Sequence, residues 1–208
     1  CESCSVGKSQ PKQGVTFCLP CLPGEFGNAT GMTNCLKCAV GKISKTPSAT
    51  NCSTCGIGES TDDVEGSAKC TRCGAGKFSN VTGGECKPCD EGRYRSAADE
   101  HPSRCNACPK GYYQKVQGQA SCLPCLPGEF GNTSGMTHCN KCTIGKVSKA
   151  PNSTLCTDCA AGWSSDEKGS AKCTKCSAGQ YSDTTGKDAR RVKGASTAQP
   201  QAMSLHDA

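Results

Sequence analysis

The sequence predicts small disulfide-rich tandem repeats: an elongated rod of short β-strands and turns, with almost no helix and no continuous hydrophobic core. Three observations predict it. The 208 residues include 22 Cys but only four Phe, four Tyr and one Trp, and Cys above roughly 8–10% of a chain marks a disulfide scaffold. Every Cys belongs to a C-x-x-C pair. The pairs recur at a nearly constant step, which means a linear array of repeats.

The pairs begin at Cys1, Cys18, Cys35, Cys52, Cys70, Cys86, Cys105, Cys122, Cys139, Cys156 and Cys173, most often 17 residues apart. We call each pair with the chain up to the next pair a rung. Three residues after the second Cys there is always Gly, from Gly7 and Gly24 to Gly162 and Gly179. Beside a cross-linked Cys the chain must turn sharply, and Gly reaches positive φ without a Cβ penalty. Two residues further on, the side chain is usually aromatic or β-branched: Phe26, Ile43, Phe78, Tyr94, Tyr113, Phe130, Val147 and Tyr181. On a short extended segment it can cover a neighbouring disulfide. Ser9, Ser60 and Ser164 break this rule, and Trp163 is expected to supply the missing bulk beside the last.

Two longer periods divide the chain. Residues 18–55 and 122–159 match at 25 of 38 positions, both opening CLPCLPGEFGN. The expected organisation is a block of six C-x-x-C units over 1–104, a block of five over 105–186, and a Cys-free tail over 187–208, disordered or wrongly assigned. A three-rung period places Asn28, Asn80 and Asn132 at intervals of 52 residues, with Asp183 in the fourth slot. Block duplication accounts for this; a superhelix of about three rungs per turn is the sharper alternative. Residue 1 is a Cys inside the motif, so the sequence reads as a mature product or as a piece of a longer chain.

C-x2-C-x13-C-x2-C is also the spacing of a four-thiolate zinc site. Zinc would take the pairs two at a time, and eleven is odd. The three His, at 101, 138 and 206, have no ligand-like spacing. N-x-S/T sequons stand at Asn28, Asn51, Asn80, Asn132 and Asn152. They can be glycosylated only in the secretory pathway, where disulfides persist. The cysteines are therefore read as disulfides, in a secreted or cell-surface protein carrying N-linked glycans.

Connectivity does not follow from sequence. The favoured pairing joins the second Cys of each pair to the first of the next: Cys4–Cys18, Cys21–Cys35, Cys38–Cys52, Cys55–Cys70, Cys73–Cys86, Cys89–Cys105, Cys108–Cys122, Cys125–Cys139, Cys142–Cys156 and Cys159–Cys173. The alternative crosses consecutive pairs, first to first and second to second. On the favoured pairing Cys1 and Cys176 are left over. They mark either a boundary effect or ends that bond between molecules.

A C-x-x-C pair followed by x-x-G-x-[FY], with the next pair near 17 residues on, resembles the ephrin-receptor-like cysteine-rich repeat. The loop CLPGEFGNATGMTNC (21–35) is similar to the first loop of a tumour-necrosis-factor-receptor cysteine-rich module. The resemblance covers residues 1 to about 186. It implies a disulfide-stapled extracellular array with no catalytic residues to carry over, of a kind used in receptors, matrix and adhesion proteins and large surface proteins.

No nucleophile–base pair, metal cluster or phosphate loop was found, so no enzyme and no cofactor is expected. Asp62-Asp63 and Asp166-Glu167, in equivalent loops, read as solvated rather than as a calcium site. The net charge of +6 is scattered, without the concentrated basic face that nucleic acid requires. No apolar run approaches the roughly 18 residues of a membrane span, which argues against direct membrane insertion. Residues after the Gly alternate in sign, Lys8, Glu25, Lys42, Glu59, Lys77; the alternation is chance or, if rungs stack in register, lets opposite charges meet on adjacent rungs. The function expected is structural: a spacer, filament, wall or adhesion component that self-associates or binds other extracellular proteins. The alternative is the ligand-binding ectodomain or stalk of a receptor.

Overall fold

The structure, a computed structural model, describes residues 1–182 and 190–191. Among them there is no helix; there are eleven antiparallel pairs of two-residue strands, each pair a separate sheet. Each pair closes one rung. The first strand follows the invariant Gly directly, as Glu25–Phe26 follows Gly24, and in all but the last pair, which ends on Arg190–Arg191, the second follows the first Cys of the next pair, as Leu36–Lys37 follows Cys35.

The invariant Gly is explained by the turn that starts each rung. In residues 22–25 the Glu25 N–H bonds the Leu22 carbonyl at 2.8 Å, with Pro23 second and Gly24 third at φ +90°. A type II turn requires positive φ at its third residue and favours Pro at its second. The same bond recurs in every rung, from Lys8 to Ser5 through to Gln180 to Ser177.

Ten disulfides join the second Cys of each pair to the first Cys of the next, from Cys4–Cys18 to Cys159–Cys173, closing loops with sequence separations of 13 to 16. In each of the ten disulfides the second Cys of a pair is buried, and among the first Cys only Cys105 is. Cys21, Cys38, Cys89, Cys108, Cys125 and Cys142 are fully inaccessible. The interior is thus a line of sulfur flanked by small groups rather than an apolar core; Ile43 and Val147 are its only large aliphatic members among the described residues.

By contacts the chain forms two compact units. One comprises Cys1–Cys125 with Gly131–Cys139, the other Leu126–Phe130 with the chain from Asn140 onward. Both use one hydrogen-bond grammar. In the first, the Cys21 N–H bonds the Gly7 carbonyl at 2.9 Å, the Gly7 N–H bonds the Gly27 carbonyl at 2.8 Å, and the Ser48 N–H bonds the Cys21 carbonyl at 2.9 Å. In the second, Cys142 bonds Gly128, Gly128 bonds Ser148, and Gly169 bonds Cys142, at 2.8 to 2.9 Å. Contacts reach past the nearest neighbour, because the loop turn of one rung packs on the Gly two rungs back. A Cβ on Gly24 would lie 1.9 Å from the Gly66 carbonyl oxygen, so this Gly serves both its own turn and the approach of a distant one.

The Gly-Ser-rich loops contain a second periodic turn that the sequence reading passed over. Gly14, Gly31, Gly66, Gly83, Gly118, Gly135 and Gly169 have positive φ, and Ser48 and Asn152 take the same conformation at the equivalent position. Two expectations are corrected. Trp163 does not supply bulk: it is 42% exposed, while Ser164 is 2% exposed, because adjacent strand residues face opposite sides. The charges do not form an inter-rung ladder either. Opposite charges instead face each other across one hairpin, as Glu25 with Lys37, Glu59 with Arg72, Glu129 with Lys141 and Lys146 with Asp158. Among the described residues only Lys146–Asp158 closes to an ion pair, at 2.9 Å. The Glu25 and Glu59 carboxylates turn back onto the N–H groups of Leu22 and Gly56 in their own turns, at 3.4 and 3.3 Å.

Candidate functional site

The rung itself is the repeated chemical unit, and its polar side chains are consumed internally. The residue three after the Gly is buried in almost every rung, although it is usually polar: Ser44, Thr61, Ser79, Arg95, Gln114, Ser148, Ser165 and Ser182. A buried hydroxyl must be bonded. Ser44 Oγ accepts from the Gly24 N–H and donates to the Glu25 carbonyl, both at 2.9 Å, and so ties two rungs together. Ser148 donates to the Glu129 carbonyl at 2.9 Å and Ser182 to the Trp163 carbonyl at 2.8 Å. Sequence reasoning missed this position because it looked for apolar periodicity; the recurring Ser was the available signal.

Arg95 is the exception that shows the rule. It is 1% exposed, and its Nη1 donates to the carbonyls of Cys73, Gly74 and Lys77 at 3.0, 2.6 and 2.9 Å. In seven rungs the carbonyl of the second Cys accepts an N–H from the next rung's loop turn, as Cys38 does from Gly66 and Cys89 from Gly118. In the rung of Arg95 the turn is replaced by His101-Pro102. Pro102 holds His101 in the extended region, and Cys73 receives the guanidinium instead. Its Nε finds no partner. Burial foremost, and nearby Arg72 next, lower the Arg95 pKa below the usual arginine range, while Asp99 opposes them. An arginine nonetheless remains charged.

The sequon residues Asn28, Asn51, Asn80, Asn132 and Asn152 are all exposed. Asn51 is followed by Cys52, which is bonded to Cys38. Asn152 occupies a left-handed loop turn at φ 61°. Asp183, in the fourth 52-residue slot, lies outside the described residues, as does the tail apart from Arg190–Arg191, which pairs with Gln180–Tyr181. Cys1 is a free, exposed thiol and Cys176 a free, half-buried one. The Cys176 N–H bonds the Gly162 carbonyl at 2.9 Å, the bond that positions the second Cys in the disulfide-closed rungs. Asp62 accepts hydrogen bonds from Ser60 and Thr71, and Asp166 accepts one from Ser164. These carboxylates brace their own loops. Among the described residues, no three His, Cys, Asp or Glu converge to hold a metal, and no helix is long and apolar enough to cross a membrane.

These features define a disulfide-laddered, cysteine-rich repeat array, of the type found in extracellular receptor-like or structural modules. Residues 97–142 match the family model described as tyrosine-protein kinase ephrin type A/B receptor-like. The same spacing, bonds and turns are repeated on either side of that segment, which supports an ephrin-receptor-like cysteine-rich array. No curated protein matches it.

Proposed function

We propose that the chain is an extracellular glycoprotein whose work is mechanical: a spacer, filament, wall or adhesion component made stiff by its disulfide ladder. One observation carries this reading. The buried hydroxyls of Ser44, Thr61, Ser148, Ser165 and Ser182 are spent on bonds between rungs, and what remains outside varies from rung to rung. Such a chain is built to hold its geometry. Single-molecule stretching tests it: without reductant the array should extend without steps. With reductant, each opened 14-residue loop should release about 4 nm of chain. Steps of that size without reductant would refute the mechanical reading.

Self-association is part of the proposal. Cys1 and Cys176 are the free thiols, and a bond between copies would continue the ladder. A reductant-sensitive oligomer series on a gel is the expected result; monomers throughout would remove this part. The family match over 97–142 favours a second reading, the ectodomain or stalk of a cell-surface receptor. Saturable one-to-one binding of a soluble protein to the isolated array would favour that reading over the first.

A further inference from the structure

Three of the five sequons share a feature. Phe26, Phe78 and Phe130 stand two residues before Asn28, Asn80 and Asn132. The residue between is pinned in each case. Gly27 and Gly131 are buried, and a Cβ on either would lie 3.2–3.3 Å from the sulfur of Cys21 or Cys125. Their carbonyls accept the N–H groups of Gly7 and Gly111 at 2.8 and 2.9 Å. Ser79 fills the same slot in its rung, 2% exposed, with its carbonyl bonded by the Gly58 N–H at 2.9 Å. In each of the three the Asn is exposed and the Phe half-buried. Around Asn80 the surface is concave, lined by Phe78 and Asn80 together with Asp90, Arg93 and Arg104.

We propose that Phe26, Phe78 and Phe130 are docking platforms for the first N-acetylglucosamine of glycans on Asn28, Asn80 and Asn132. This rests on the glycoprotein reading above. A pyranose presents one face of C–H groups, which packs on an aromatic ring, while its hydroxyl and acetamido groups stay in water. Because each Phe-x-Asn segment is fixed by the rung behind it, seating the sugar orders little else. Around Asn80, Arg93 and Arg104 supply hydrogen-bond donors to the sugar's oxygens. Asn51 and Asn152 have Ala49 and Ala150 in the platform position and serve as internal controls.

The test uses the full chain secreted from a eukaryotic host, its glycans trimmed to one sugar per site, with site occupancy read from peptide mass. The acetyl-methyl and ring-proton resonances of the sugars on Asn28, Asn80 and Asn132 should be shifted upfield by the adjacent rings. Any sugar on Asn51 or Asn152 should resonate as a free one does. Phe78→Leu, which keeps an apolar residue in the strand, should return only the Asn80 signals to free values. Occupied sites with unshifted resonances, or shifts unchanged in Phe78→Leu, would overturn the platform and leave the glycoprotein reading intact. Unmodified Asn28, Asn80 and Asn132 by mass would overturn both.

Discussion

At the scale of single residues, the fold depends on a few atoms that have no room to be otherwise. Gly24 stands at φ +90° with the Gly66 carbonyl where its Cβ would be, whereas Gly14, at φ +71°, has nothing within 4 Å. Gly14→Ala should therefore cost only the left-handed strain of about 1–2 kcal/mol. Gly24→Ala must also displace backbone and should cost several kcal/mol more, on the order of the largest single-residue effects. Thermal unfolding of the two variants side by side checks this. Arg95 gives a second comparison. Arg95→Ala strips the donor from three carbonyls and should destabilise by about 2–4 kcal/mol. Restoring the regular pattern with Arg95→Ser, His101→Gly and Pro102→Ser together should recover most of that loss. A triple variant no more stable than Arg95→Ala would mean that Arg95 is not standing in for the missing turn.

At the scale of the element, the two-residue hairpin cannot be stable alone, since even long isolated hairpins are marginal in water. The turn, the disulfide and the bonds to adjacent rungs hold it. Charge contributes little: Lys146 and Asp158 are 38% and 51% exposed, and such pairs contribute about 0–1 kcal/mol. Asp158→Asn should shift unfolding by no more than this. Opening one disulfide, with Cys108 and Cys122 both replaced by Ser, should instead raise amide exchange in that loop and in the rungs its bonds reach. The opening turn was legible in the sequence because Gly three residues after each pair has a single backbone reason. The second turn was less so, because Ser48 and Asn152 interrupt its Gly series. The buried Ser was illegible to a search for apolar alternation, since a line of sulfur leaves room for small polar groups rather than large apolar ones. Trp163 misled for a related reason: size suggested burial, but the strand position decides the face.

At the scale of the whole chain, the stabilising terms are covalent and serial rather than those of one shared core. Each closed loop of about 14 residues contributes roughly 3 kcal/mol in the chain-entropy account, and the backbone bonds between rungs fix how the loops are set. Spacing alone left two connectivities open, and the hydrogen-bond grammar has a place for one of them, with the second Cys inward and the first Cys at the mouth of the next hairpin. That pairing is the central claim. The most direct test is disulfide mapping of the native, unreduced chain by stepwise reduction and alkylation, so that the two cysteines of each pair are told apart. The account predicts Cys21–Cys35 and Cys125–Cys139, with the same second-to-first rule at every rung. Bonds joining Cys18 to Cys35 and Cys21 to Cys38 would contradict it.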